Sequence, residues 1–436
     1  MKGRKENLAQ LMKGKFPPRV LEVLRAAGGY GEKEGYKVFA VGGFVRDLIL
    51  GYENLDIDLV VEGEGMRYAQ GLAASQGASY KCFERFGTAA VYLPSGIKFD
   101  VATARQERYE RPAALPRVRS SSIRFDLYRR DFTINSLAID LTPGNFGELV
   151  DFFGGEKDLN RKLIRVLHKD SFVDDPTRAF RAVRFSRRYG FRISGKTKNL
   201  ILAAVSLRLF DRLSGKRLFA ELKLLLAESR PVRCIKLLHH LGLLTVLHPC
   251  LGLKPESGEL FKKVRESLSW LARACPTEAF CSWLVYLLAL VDGLNDKELK
   301  EMRERSAIGG KREREALDKK SSALATLLHL DEAQELKNSQ VYGFLKEFPL
   351  ELLLYMMARS SRGNTRGWIR KYIVTLRKIK PYTGGKGLIK LGLPPGPRFG
   401  QILSQLLRAK LDGQVVTKAD EIRFIKENWP NKRAKG

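Results

Sequence analysis

The stretch from Val41 to Val61, VGGFVRDLILGYENLDIDLVV, sets two aspartates, Asp56 and Asp58, into an otherwise apolar strand pattern. Side chains alternate along a strand, so both carboxylates point to one face with their Cα atoms about 6.6 Å apart. Carboxylates that close repel each other unless cations sit between them. Mg²⁺, a hard cation with oxygen ligands that bridges readily to phosphates, suits such a pair best. A two-metal site needs a further acid, and GIKFDVATAR offers Asp100 on a second apolar strand. A lone Asp-x-Asp is most often a turn or an edge strand. The double glycine upstream and Asp100 downstream reverse those odds here.

Gly42 and Gly43 follow the strand pattern KVFAV and precede a short helix, FVRDLIL, ended by Gly51. Glycine lets backbone N–H groups approach an anion, and a helix N-terminus adds partial positive charge. Arg46, one turn into that helix, can reach the same anion. The plain alternative is a tight strand-to-helix turn. Further along, Arg178, Arg181, Arg184 and Arg188 fall within about 120° on one helix face. Asp175 precedes Pro176 at the start of that helix, which also makes it a good N-cap with proline at the first position.

The elements that must position these groups are legible as well. KVFAVGG, DIDLVV, GTAAVYL, IKFDVATA and NSLAIDL are β-rich runs bounded by Gly, Pro or Asn. Beyond Asp174 apolar residues recur at helical spacing, in TRAFRAVRFSRRYGF, TKNLILAAVSLRLFDRL and KRLFAELKLLLAE. An α/β head therefore precedes a long all-α body. Ser214 reads as the cap of the helix that holds Arg217 and Glu221, and their spacing predicts an ion pair with each other. Residues 298–320 read as a solvated helix pair broken at Gly309 and Gly310. LGLPPGPRFGQILSQLL reads as a Pro/Gly turn entering an amphipathic helix of a separate C-terminal subdomain.

The chain has 436 residues, enough for two to four domains. It carries 78 Lys and Arg against 48 Asp and Glu, a net charge of +30. That excess is self-repulsive unless a polyanion relieves it, and nucleic acid is the leading candidate. No run of about 18 apolar residues is present, which excludes a membrane span of the helical kind. The basic N-terminus MKGRKENLAQLMKGKF has neither a continuous apolar core nor a cleavage site, and reads as cytoplasmic. The five cysteines are scattered without a Cys-x-x-Cys pair, and read as reduced core residues.

Taken together, VGGFVRDLILG with LDIDLVV, RRDFTINSLAID (Arg129 to Asp140) and DDPTRAFRAVRFSRRYGF (Asp174 to Phe191) resemble the class II, bacterial-type tRNA nucleotidyltransferases and their poly(A) polymerase relatives. The resemblance is strong over about residues 36–250. GLIKLGLPPGPRFGQILSQLLRAKLDGQV resembles the family's tail, and the stretch between is matched by helical character alone. It implies a polymerase-β-like nucleotidyltransferase head with a mixed sheet (1–150), then a helical neck (151–230), body (231–330) and tail (331–436). It implies that Asp56 and Asp58 hold two catalytic Mg²⁺ ions with Asp100 as the third acid. Gly42, Gly43 and Arg46 would hold the triphosphate, with Arg129 and Arg130 nearby, while Asp131 and Asn135 shape the ribose side. The implied partner is tRNA, gripped at its acceptor end and TΨC arm, with ATP and CTP as substrates.

The family reads the incoming base with Glu-Asp-x-x-Arg, and this chain has Asp174, Asp175 and Arg178 in that order, the shorter Asp174 replacing the usual glutamate. An aspartate only accepts hydrogen bonds and an arginine only donates. Adenine and cytosine both show an amino donor beside a ring-nitrogen acceptor. Guanine and uracil show the opposite order and would leave groups unpaired, at about 1–3 kcal/mol each. Arg181 and Arg184 are expected on nucleotide phosphate or ribose, and Arg188 on structure or RNA. The basic stretch from Arg105 to Ser122 resembles the loop that accompanies A addition, and the head looks most like that of the A-adding enzymes. Three readings follow: a tRNA 3′-end nucleotidyltransferase adding the terminal A or all of CCA, a poly(A) polymerase on the same fold, and a non-catalytic basic RNA-binding protein. The intact carboxylate set argues against the third.

Overall fold

In the computed structural model, residues 7–84, 87–108 and 117–430 are described. They form two compact units, Met1–Leu247 and His248–Gly436. The head and neck read from the sequence thus lie in the first unit.

That unit opens with two helices, α1 (Ala9–Lys15) and α2 (Pro18–Lys33). Then come β1 (Lys37–Val41), α3 (Gly43–Ile49), β2 (Ile57–Glu62), α4 (Gly65–Ser75), β3 (Ser79–Phe83), β4 (Thr88–Tyr92) and β5 (Lys98–Thr103). A hairpin of β6 (Arg105–Arg108) and β7 (Arg117–Ser120) leads to α5 (Ile123–Tyr128), β8 (Ala138–Asp140) and β9 (Leu149–Val150). Seven strands make one mixed sheet in the order β3-β4-β5-β2-β1-β8-β9. Only β2 and β5 pair in parallel; every other neighbour is antiparallel.

The sheet is covered unequally. Helix α4 buries Tyr68, Ala69, Leu72 and Ala73 and packs along β2 to β5. On the opposite face, Ile123 and Leu127 of α5 join Phe39, Val41 and Val60 in a core cluster. The alternation of β2 explains both layers: Ile57, Leu59 and Val61 are buried toward one side, while Asp58, Val60 and Glu62 share the other. Strand β3 differs from the rest. It is an edge strand and all five of its residues are exposed, so it lacks the apolar alternation by which the other strands show in the sequence.

The helical part of the unit begins with α6 (Gly155–Asn160), β10 (Leu163–Ile164), α7 (Ser171–Asp174) and α8 (Arg178–Tyr189). Then come β11 (Arg192–Ile193), α9 (Gly195–Ser206), α10 (Gly215–Leu226) and α11 (Pro231–His240). Ser214 precedes α10, but its side chain makes no capping hydrogen bond.

The second unit contains eleven α-helices, from Ser257–Ala274 to Lys418–Asn428, and no strand among the described residues. The charged stretch expected to break near Gly309 does so, between helices Asp296–Arg305 and Lys311–Asp318. The last two helices, Arg398–Leu411 and Lys418–Asn428, share a small core of Leu388, Ile402, Leu406, Val415 and Ile425. All five cysteines are free, yet only Cys234 and Cys275 are buried; Cys82 lies on exposed β3 and Cys250 at the surface. The expectation of five core cysteines is corrected accordingly. No described helix is long and apolar enough to cross a membrane.

Candidate active site

The parallel register of β2 and β5 sets Asp58 directly beside Asp100. Asp56 stands just ahead of β2, its N–H bonded to Asn54 Oδ1 at 2.9 Å. Asp58 presents an exposed edge, yet its carboxylate lines a cleft walled by protein. The resulting loss of hydration pushes its pKa up to about 6, reinforced by repulsion from Asp56 and Asp100 and partly offset by Arg130 and Lys98. Asp100 Oδ2 meets Lys98 Nζ at 2.8 Å. No three His, Cys, Asp or Glu side chains among the described residues converge closely enough to hold a metal alone. The donor set and the uncompensated repulsion on Asp58 nevertheless suit a hard divalent cation completed by ligands from elsewhere, such as phosphate oxygens.

Beside the carboxylates lies a cleft of about 480 Å³. Gly42, Gly43, Arg46, Asp58, Arg129, Arg130, Asp131, Asn135, Asp175, Arg178 and Arg181 all line it, joined by Glu107 and Phe185. Gly42 is required here: its φ of +68° favours glycine, and a Cβ would meet Arg130 Nη1 at 2.6 Å. Its own N–H bonds Leu137 O at 3.1 Å, so of the two glycine amides only that of Gly43 remains for an anion.

The arginines of the cleft are held by carboxylates. Arg46 forms a bidentate pair with Asp47, at 2.8 and 2.9 Å, and donates to Asn135 Oδ1 at 2.6 Å. Its guanidinium lies against the rings of Phe185 and Tyr189 on α8. Asn135 in turn donates to Asp131 Oδ1 at 2.9 Å, and Arg181 closes on Asp131 Oδ2 at 2.7 Å. Burial alone would raise the Asp131 carboxyl; Arg181 and the Asn135 hydrogen bond hold it below its ordinary value. Arg129 and Arg130 share one fully buried carboxylate, Asp126, at 2.7 and 3.0 Å. Arg129 also reaches Glu107 at 3.0 Å.

At the far wall, Asp175 Oδ1 accepts from the Thr177 N–H and hydroxyl and from Arg217 Nη2 at 2.8 Å. It therefore does cap the turn into α8, but through one oxygen. Arg178 donates to Ser171 Oγ at 2.8 Å and to Arg129 O at 2.7 Å. With five N–H groups on a guanidinium, three remain.

A family model described as "Poly A polymerase head domain" matches residues 38–165, and one described as "Probable RNA and SrmB- binding site of polymerase A" matches residues 190–253. An A-adding tRNA nucleotidyltransferase of Geobacter sulfurreducens is 41% identical over 97% of this chain and 48% of its own length. Another, of Halalkalibacterium halodurans, is 33% identical over 98% of this chain and 97% of its own. The chain belongs to the tRNA nucleotidyltransferase family. It spans about half the length of the first relative and nearly all of the second. Among solved structures, a CCA-adding enzyme in its apo form II aligns with TM-score 0.84 at 33% identity, over 97% of this chain and 99% of that one. A CCA-adding enzyme with ATP aligns at 0.82 and 33%, over 97% and 98%. A Thermotoga maritima CCA-adding enzyme complexed with tRNA aligns at 0.78 and 32%, over 97% and 98%.

Other residues expected from the family pattern lie elsewhere. Asp174 faces His168, Nε2 to Oδ2 at 3.7 Å, and makes no hydrogen bond to Arg178. Arg184 is buried against Glu221, at 3.8 Å, and the Phe185 ring, and does not line the cleft. Arg188 pairs with Glu228 at 2.8 Å. The expected Arg217–Glu221 pair does not form: Arg217 turns to Asp175, while Glu221 lies between Arg181 and Arg184. A spacing of four permits a pair on one helix, but partners from α8 and its N-terminal turn are nearer. In the tail, Lys410 is paired with fully buried Glu421 at 2.8 Å and lies over the Tyr382 ring. The basic stretch from Arg105 to Ser122 falls partly outside the described residues; its flanks pair as β6 and β7. Asp47, Asp126 and Phe185 were missed by sequence reasoning. Asp126 had a signal, since DLYRR places it three and four residues before Arg129 and Arg130.

Proposed function

We propose that this chain adds AMP from ATP to the 3′ end of tRNA, without a nucleic-acid template, in the cytoplasm. The observation that carries this reading is the convergence of Asp58, the arginine cleft and the Asp175–Arg178 pair on one cavity. The A-adding relatives support a terminal A over the whole of CCA, and the tRNA and ATP complexes of related enzymes support the substrate classes.

In the reaction, the RNA 3′-oxygen forms a bond to the α-phosphorus as the bond to pyrophosphate breaks. Asp56 and Asp58, with Asp100 beside them, would hold two Mg²⁺ ions, whose charge would favour the ionised 3′-hydroxyl and offset that of the departing pyrophosphate. Arg129, Arg130 and the Gly43 amide line the side where the triphosphate would lie. Their carboxylate partners fix them beforehand, so binding requires little side-chain ordering. Asp131 and Asn135 bound the ribose side. The second oxygen of Asp175 accepts from the amino group of adenine or cytosine, and Arg178 donates to the neighbouring ring nitrogen. Arg181 and Glu221 buttress that wall, while Arg184 and Asp174 act from behind it. Residues 1–150 carry the chemistry, 151–230 read the base, and 231–330 and 331–436 grip the RNA at the acceptor end and TΨC arm.

The deciding experiment incubates purified protein with tRNA ending in no CCA, C, CC or CCA, and each NTP singly and in combination. A single AMP added only to the CC end is expected. Addition of C to the shorter ends would mark a CCA-adding enzyme, and long tails with ATP a poly(A) polymerase.

A further inference from the structure

The head sheet treats the two sides of its carboxylates differently. Toward β1 and β8 lie the glycine turn and the arginine cleft. Toward β4 and β3 the same face runs outward, uncovered by α5, to the exposed edge. Registers identify what that face carries. Asp58 stands beside Asp100, Asp100 beside Ala90, and Ala90 beside Lys81. One row along, Lys98 stands beside Tyr92 and Tyr92 beside Ser79; in the other direction Phe83 pairs with Thr88. With strands about 4.8 Å apart and same-face residues about 6.7 Å apart, Tyr92 lies about 12 Å from Asp58. Tyr92 is 43% exposed and Phe83 38%. Lys81 lies over the Phe83 ring at 5.5 Å.

We infer that this face, centred on Tyr92 with Lys81, Phe83 and Lys98, receives the unpaired 3′ end of the acceptor RNA. The inference rests on the proposed polymerase reading and extends it to a strand-binding site. In-line displacement puts the attacking and leaving oxygens on opposite sides of the α-phosphorus. The triphosphate side is taken by the arginine cleft toward β1 and β8, so the attacking strand arrives from the β5–β4–β3 side. An exposed tyrosine and phenylalanine offer π faces to bases, and Lys81 offers a cation to phosphates while Lys98 is held by Asp100 at the inner end of the face, a combination that suits single-stranded RNA without demanding a sequence. Ala90, between Lys81 and Asp100, leaves the path to the carboxylates free of bulk. The five exposed residues of β3 would otherwise be an unprotected edge.

The test uses the full chain and a tRNA transcript carrying 2-aminopurine in its unpaired 3′ end. Stacking on Tyr92 should quench the probe in the wild type and in Tyr92→Trp, and quenching should be lost in Tyr92→Ala with Phe83→Ala. The double variant should raise KM for tRNA about tenfold and leave KM for ATP unchanged. Lys81→Ala, a separate surface change, should lower the salt slope of RNA binding by about one. Unchanged quenching and KM for tRNA in the double variant, at unchanged Tm, would overturn the inference. So would a wild-type dimer in sedimentation that the double variant dissolves, since the edge would then serve a second copy of this chain. If the wild type extends no RNA at all, the polymerase reading fails. Quenching of a single-stranded 2-aminopurine oligonucleotide then still decides the platform: loss in the double variant supports it, and equal quenching overturns it.

Discussion

In the N-terminal unit, Arg46, Arg129, Arg130 and Arg181 all end on carboxylates. In the C-terminal unit, the sixty residues from Leu352 to Leu411 hold thirteen Lys and Arg and no Asp or Glu. The excess itself is shared evenly, at 43 basic against 27 acidic residues before His248 and 35 against 21 from there on. Charge alone does not set the cleft apart from this basic segment; pairing sets its arginines apart from most of the segment's cations. Paired arginines have one geometry and suit a small, directional ligand. Cations without an ion pair among the described residues, such as Lys386, Lys390, Arg398 and Arg408, attract a polyanion over a distance and without fixed geometry. Three cations of the segment are paired all the same: Arg359 with Asp292, Arg377 with Glu278 and Lys410 with Glu421, and Lys410 is the most buried case. It lies in the basic segment yet is held by Glu421, which also accepts from the Tyr382 and Thr383 amides and ties three segments of the tail together.

The comparison can be broken first at its chemical centre. Asp58→Ala should reduce incorporation by about 10³-fold or more, as expected when several kcal/mol of transition-state stabilisation are removed. RNA binding, carried elsewhere, should remain within about twofold in a filter-binding assay. Turnover near wild type would remove Asp58 from the mechanism.

The next test removes a partner rather than an arginine. Asp126→Ala should destabilise the first unit by about 3 kcal/mol in urea unfolding, because two partly buried guanidinium groups lose their shared carboxylate. Burial alone would raise the Asp126 carboxyl, but Arg130 and Arg129 outweigh it and hold it below its ordinary value of 3.8. The unfolded chain therefore binds the proton more readily as pH falls through 3.8, and stability declines there. Asp126→Asn should flatten that part of the pH–stability curve. An unaltered acid limb would mean that Asp126 does not organise the pair.

A smaller effect is expected at the base-reading wall. Arg178→Ala should lower discrimination against UTP and GTP by about tenfold, the worth of one unpaired donor, with RNA affinity unchanged. Unchanged nucleotide preference would leave Asp175 and Arg178 as a helix cap and its neighbour.

The smallest effect sharpens the contrast in the tail. Arg408→Ala should leave Tm unchanged and reduce the salt slope of tRNA binding by about one. Lys410→Ala should do the reverse, lowering stability by about 1 kcal/mol with Glu421 left partly unsatisfied, and leaving the slope alone. Equal slopes lost by both would erase the distinction between paired and unpaired cations.

What was legible in the sequence shares one property: it is local. The glycine turn, the alternating Asp56 and Asp58, the strands with a buried face and the arginine stripe of α8 each follow from spacing within a few residues. Strand β3 escaped notice because no side of it is buried, so no apolar period marks it. The partners escaped for a related reason. Arg217 could choose Glu221 one turn away, but chose Asp175, 42 positions earlier, because the fold brings α10 against α8. Arg46 and Asn135 are 89 residues apart and meet only because α3 and the turn before β8 converge beside β1. By itself the sequence determined the periods, the turns and the chemical inventory, since these depend on backbone geometry shared by all chains. Local spacing gives Asp47 to Arg46 and Asp126 to Arg129 and Arg130, but which distant carboxylate neutralises Arg181 or Arg217 was decided by tertiary packing, because those pairs depend on a few ångströms of separation that no local spacing encodes.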